Sequence, residues 1–262
     1  YKRQLQHLAA GNSALINQTN ELCVPAEQHN PQAVIDQIDY QRLGKTHYEQ
    51  ACVREANCRA VPAHRAAHRA FLAGASEVQI GAAYLAACDC RESEMPYGMI
   101  VGVNEHAAVL HHHNLFKQPQ TPRSFLIDAG VEFNGYASDI TRTYAYDAGG
   151  DFAAMIKCMN VKQLELCAEG GIGRNPVAIH ALSERMIAEV LIEFGVVKLS
   201  LEEAVAKGIA GYFYPHGLGH HLGANVHDKG GQMANAQGDR LAPPEKYPNL
   251  RATAPMVANQ IH

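Results

Sequence analysis

Residues 125–143, FLIDAGVEFNGYASDITRT, decide the fold. Two β-rich runs, 124–128 and 139–143, flank the segment 132–136, whose Asn134-Gly135 pair is the strongest short-range signal for a two-residue hairpin turn. If the turn is centred on that pair, Asp128 lies opposite Thr141 and diagonal to Asp139. A one-residue shift of the centre sets the two acids directly opposite each other. Either register puts both carboxylates on one sheet face. Unpaired, such neighbours repel and raise one another's pKa, and a bound cation removes that penalty. The plain alternative, two ordinary acids at strand ends, sits poorly with so apolar a stretch.

Upstream, the β pattern continues through 98–103 and 107–111, and around this block the chain reads as helix. Pro31 is suited to a first helical turn, and Val34, Ile35 and Ile38 share a face until Gly44. Thr46-His47-Tyr48-Glu49 is a capping box that opens a long helix to about Leu72. Pro62 lies inside it, and at a cost of about 3 kcal/mol it predicts a kink or split there. Ser76-Glu77-Val78-Gln79 caps the next helix, with Ile80, Ala83, Leu85 and Ala86 on its apolar side. Helices are predicted again at 150–169, at 176–194 before Gly195, and at 201–207 after the Ser200-x-x-Glu203 box. Residues 230–249, rich in Gly, Pro, Asn and Asp, read as a long loop. Helices and hairpins in separate blocks predict an α+β fold with one main domain, not a doubly wound parallel sheet.

A hydrophobic share of 47% with 18% charged residues fits a soluble globular chain, and a net charge of −4 argues against a nucleic-acid partner. No apolar run is long enough for a membrane span, and the start YKRQLQHLAAGNS has no signal-peptide core. Seven cysteines form no C-x-x-C repeats, so free thiols in a reducing cytoplasm are expected. Fifteen histidines are the compositional anomaly. They cluster at 111–113 and in YPHGLGHHLGANVHD, residues 214–228, where three glycines are interleaved with four imidazoles. Neutral imidazole is the commonest metal ligand and the usual proton carrier near pH 7.

Taken together, DAGVEFNGYASDITRT, the upstream NEHAAVLH and the downstream PHGLGHHLGANVHD resemble the bacterial Xaa-Pro dipeptidases, or prolidases, and above all their organophosphorus acid anhydrolase subgroup. The likeness runs from about Lys45 to the last residue. It implies a pita-bread catalytic domain over 31–262, with 1–30 the tail of a missing N-terminal domain or a linker. It implies two divalent ions, most simply Mn2+, with Asp128 chelating one, Asp139 bridging both and His220 binding the other. His111 and His227 match catalytic histidines on the substrate side. Arg251 matches the arginine that takes the substrate's terminal carboxylate, Tyr97 lines a specificity pocket, and His216 lies behind the metal and substrate groups. His112, His113 and His221 match no catalytic position and read as structural or solvent-facing.

The implied reaction is metal-dependent hydrolysis of Xaa-Pro dipeptides by a metal-bridging hydroxide, with side activity on organophosphorus esters. A cytoplasmic homodimer is what the family suggests. In that family the counterpart of 258–262 continues into T-I-E-P-G, whose Glu is a metal ligand, and later into a second, bridging Glu. The reading therefore expects a domain incomplete at its C-terminal side and a 262-residue chain that is inactive alone. The alternative is a non-catalytic pita-bread module that binds peptides or a partner. The joint presence of Asp128, Asp139, His220, His111 and His227 weighs against it.

Overall fold

Small side chains on one face of a long helix let a sheet approach closely. In this computed structural model, which describes Ile16 and residues 26–262, that helix is α2, His47–Leu72, preceded by α1, Gln32–Gln41. The expected 1–30 tail falls largely outside the described residues. Thr46 caps α2 with the reciprocal box read from the sequence. The buried positions Val53, Ala56, Ala60, Ala63, Ala67 and Phe71 recur every three or four residues along one stripe. Helix α3, Glu77–Cys88, is opened by the Ser76 box and packs beside α2.

The expected break at Pro62 does not occur, and α2 runs through it as one 26-residue helix. Pro62 faces solvent, and the buried Ala60, Ala63 and His64 on either side hold both halves to the core. Packing outweighs the lost hydrogen bond.

Strands β1, Ile100–Val103, β2, Ser124–Ala129, and β5, Ile140–Ala145, form an antiparallel sheet in the order β1-β2-β5. Asp128 pairs with Thr141, as a turn centred on Asn134-Gly135 requires. Asn134 (φ 51°) and Gly135 (φ 80°) both take the left-handed conformation that such a turn demands, and they join β3, Glu132–Phe133, to β4, Tyr136–Ala137. This short hairpin is a sheet of its own. At the junction, a Cβ on Gly130 would lie 1.9 Å from the Ser138 carbonyl oxygen, so only glycine fits.

Along β2, Phe125, Ile127 and Ala129 point into the core with Phe71, Ile80, Tyr84 and Val101, while Ser124, Leu126 and Asp128 are half-buried on the opposite face. The alternation thus fixes which side carries Asp128. The strand expected over 107–111 is instead a 3-10 turn, Asn104–Ala108. Asn104, at φ 57°, turns the chain back so that Ala107 passes directly over Gly102, where a Cβ would meet its backbone nitrogen at 2.8 Å.

Helices α4, Asp151–Ala168, α5, Pro176–Glu193, and α6, Leu201–Ala206, pack in succession. Beyond residue 213 the only bridge among the described residues is Met233 with Arg240, so the expected loop is longer than 230–249. Specific contacts hold this segment. Leu222 N–H donates to the Ile261 carbonyl at 3.0 Å, and Lys45 N–H to that of Asn259 at 2.8 Å. The buried Asp228 carboxylate pairs with Lys45 Nζ at 2.9 Å and with Arg42. Cys52, Cys58, Cys88, Cys90, Cys158 and Cys167 are free thiols.

Replacing an exposed helical proline restores one backbone hydrogen bond and relieves a ring clash, an effect of up to about 3 kcal/mol. Pro62→Ala is expected to raise stability by about 1–3 kcal/mol in urea unfolding; an unchanged or lower midpoint would mean that the proline is accommodated without cost.

Candidate active site

Asp128 ends the half-buried face of β2, and Asp139 immediately precedes β5. Tyr97 reaches them from the turn before β1. Its hydroxyl lies 2.7 Å from Asp128 Oδ1 and 2.9 Å from Asp139 Oδ1. One hydroxyl proton cannot fully serve two carboxylates, so the pair ionises unequally. Burial pushes Asp128 above its ordinary range against the Tyr97 hydrogen bond, and the Asp139 charge pushes it further. Burial also acts upward on Asp139, but hydrogen bonds from His220 and Tyr97 together carry it below its ordinary value. Burial and the two carboxylates raise Tyr97 far above the usual phenol range, so it stays a donor.

The histidine-rich segment delivers His220 to this pair. Its Nε2 lies 3.1 Å from Asp139 Oδ2, and its Nδ1 lies 3.2 Å from the His221 carbonyl oxygen. The carbonyl keeps a proton on Nδ1 and turns Nε2 toward the carboxylate. Burial acts downward on His220, but the Asp139 hydrogen bond and the carbonyl raise it. The His227 ring stands edge-on to His220, with centroids 4.5 Å apart, and is lowered by burial and then by the charges of His220 and Arg251. The Arg251 charge acts downward on both imidazoles, but Arg251 is exposed and does not line the cavity around the carboxylate pair.

Tyr97, His111, Asp128, Asp139 and His227 line one cavity of about 580 Å³. Three further polar residues of that wall, His113, Glu132 and Asn225, were not expected there. Glu132 had a readable signal, since it lies two residues before the hairpin turn. His113, taken as structural or solvent-facing, lines the cavity with His111, the two rings parallel and 6.2 Å apart. His216 is not brought to the carboxylates. Its exposed ring meets Tyr214 edge-on in a second cavity of about 180 Å³ with His180 and Tyr247. His112 and His221 are buried.

Asp128 and Asp139 supply hard oxygens and His220 one imidazole, a donor set whose chemistry fits a divalent metal ion. The strained carboxylate pair supports that fit, because a cation would relieve the repulsion that Tyr97 and His220 relieve in part. The three do not close to within 4.8 Å of one another. Among the described residues the group that does is Glu77, His106 and His112, none of which lines the Asp128–Asp139 cavity.

The sequence profile of "Metallopeptidase family M24" matches residues 51–249. A protein of Cronobacter sakazakii named Xaa-Pro dipeptidase is 48% identical over 251 residues, covering 94% of this chain and 57% of that protein. Its namesake from Yersinia pseudotuberculosis is 49% identical over 230 residues, 87% of this chain and 52% of that protein. The chain therefore spans little more than half the length of these relatives. Among solved structures, the low-pH form of aminopeptidase P from E. coli superposes with a TM-score of 0.73 at 23% identity, covering 92% of this chain and 60% of that one. The aminopeptidase PepP of Pseudomonas aeruginosa gives 0.61 at 28% identity, covering 78% and 47%.

Removing the Tyr97 hydroxyl leaves Asp128 more readily protonated, so protons compete better with a cation as pH falls. A hydrogen bond to a charged group contributes roughly 1.5–3 kcal/mol, or about tenfold or more in affinity. Tyr97→Phe is expected to weaken Mn2+ binding by about that factor at pH 6 and much less at pH 8, by calorimetry. Equal losses at both values would show that the hydroxyl does not tune the carboxylates.

Proposed function

Because the chain belongs to metallopeptidase family M24, whose pita-bread catalytic fold it adopts, we propose that its protein hydrolyses Xaa-Pro dipeptides. The observation that carries this reading is the cavity in which Tyr97, Asp128, Asp139, His111 and His227 converge, with His220 on Asp139.

Asp128, Asp139 and His220 would hold the divalent ions. Once bound, these would supply Lewis acidity toward the scissile carbonyl and a nucleophile at neutral pH. The remaining work falls to the chain itself. The His221 carbonyl holds the Nδ1 proton of His220, so that Nε2 faces the site. Tyr97 keeps its hydroxyl proton and orients both carboxylates. His227, lowered by burial, stays largely neutral near pH 7, and with His111 it offers N–H donors to the carbonyl oxygen as negative charge develops there. Arg251 offers a bidentate guanidinium to the dipeptide's terminal carboxylate. A prolyl amide carries no N–H, so recognition of the bond rests on the ring fitting the cavity beside Tyr97.

The same site would attack organophosphorus esters as a side reaction, and Mn2+ is the ion that best suits the donor set. Free thiols accord with a cytoplasmic setting, and a homodimer is the assembly that the family resemblance suggests.

The test is Mn2+-dependent release of proline from Ala-Pro by the protein extended to its relatives' length, with Ala-Ala as the control. Ala-Pro is expected to be cleaved at least tenfold faster, and Asp139→Asn to lower kcat at least a hundredfold; activity untouched by that substitution would remove the metal assignment. We also propose that residues 1–262 alone cleave at under a hundredth of the rate of a protein extended to its relatives' length, since three donors are few for two ions. Robust Mn2+-dependent turnover by 1–262 would contradict this.

A further inference from the structure

One buried carboxylate organises the loop that carries His111. Glu77, in the first turn of α3 and 1% exposed, accepts four hydrogen bonds. Oε1 receives Val103 N–H at 2.9 Å and faces His106 Nδ1 at 2.7 Å. Oε2 receives Phe116 N–H at 2.8 Å and faces His112 Nε2 at 2.9 Å. All four partners lie in residues 103–116, from the last residue of β1 into the connection to β2. His112 is buried on Glu77, while His111 and His113 on either side of it face the Asp128–Asp139 cavity.

Glu77, His106 and His112 have the composition of a metal site, yet their arrangement is not one. The rings of His106 and His112 are stacked with centroids 4.6 Å apart and planes within 20°, and each nitrogen addresses a different oxygen. An imidazole binds an ion along its own ring plane, so two stacked, near-parallel rings do not converge on one ion. A carboxylate that already accepts two backbone N–H groups is a hydrogen-bonded hub. Burial acts upward on Glu77, but the hydrogen bonds from Phe116 and Val103, then those of the two histidines, hold it below its ordinary value.

We propose that Glu77 is a positioning residue: through His112 it fixes residues 103–116 so that His111 and His113 are held toward the carboxylate pair. The inference rests on the hydrolase reading of that cavity, and Glu77 itself touches neither metal ligands nor substrate.

The experiment uses the Mn2+-loaded protein extended to its relatives' length and compares the wild type with His112→Phe, which keeps a ring but no donor, and His112→Gln, which keeps an N–H. In His112→Phe, hydrogen exchange at the Val103 and Phe116 amides is expected to speed up at least tenfold while amides in α2 stay unchanged. Its kcat for Ala-Pro should fall about tenfold with KM within twofold, and His112→Gln should recover at least half of the rate. His111→Ala should cost as much, and adding His112→Phe to it should cost no more than a further twofold, because both act through one imidazole. Multiplicative losses in the double variant, unchanged exchange in His112→Phe, or a bound metal ion lost in Glu77→Gln but kept in Asp139→Asn would overturn the proposal. If the wild-type protein cleaves no Ala-Pro, the hydrolase reading falls, and the exchange rates alone then decide whether Glu77 orders the loop.

Discussion

Two carboxylates share one tyrosine hydroxyl on a half-buried sheet face, and much of the structure serves to keep them there. Left to themselves, Asp128 and Asp139 would separate or take up a proton between them. The β2–β5 register sets their spacing, the Tyr97 hydroxyl spans them, and His220 meets the outer oxygen of Asp139. The fold thus concentrates negative charge at one point and balances it only in part. A bound cation would offset the remaining repulsion, which is the physical ground for proposing the pair as a metal site.

The support behind the pair is of two sorts. The sheet is held by apolar contact, with the alanine stripe of α2 drawing it close and Phe71 stacked on Phe125 at 5.1 Å. The segments that carry the imidazoles have almost no regular structure and are held by buried charge. Glu77 ties down 103–116, and Asp228, paired with Lys45 and Arg42, ties down the stretch that ends in His227. Severing a buried pair leaves an uncompensated charge, at about 3–5 kcal/mol, so these tethers are as structural as the core. A loop fixed in this way holds a side chain in place without a ladder of backbone hydrogen bonds.

Much of this was legible because it is local. Capping boxes at Thr46, Ser76 and Ser200 are closed within four residues, and each opens the helix predicted from it. The Asn134-Gly135 turn fixed the pairing of Asp128 with Thr141, since two left-handed residues in succession leave few alternatives. What failed depended on distant atoms. Pro62 keeps its helix because the sheet grips the residues around it, and 107–111 is not a strand because Asn104 folds that segment over Gly102. His216 lies in the same histidine-rich stretch as His220, yet its ring lines another cavity.

The histidines show how far residue type underdetermines role. At both 111–113 and 220–221, neighbouring imidazoles divide between two environments. At 111–113 the outer two face the cavity and the middle one is buried on Glu77. At 220–221 the first meets Asp139, while the second, 3% exposed, lies against the His262 ring, its Nδ1 without a hydrogen-bond partner among the described residues, with burial and then the His262 charge pushing it down to about 3. One imidazole is raised by its carboxylate and its neighbour is kept neutral by burial, although nothing in the dipeptide distinguishes them. A run of histidines is therefore better read residue by residue, since one ring can face a cavity while its neighbour is buried and anchors the loop.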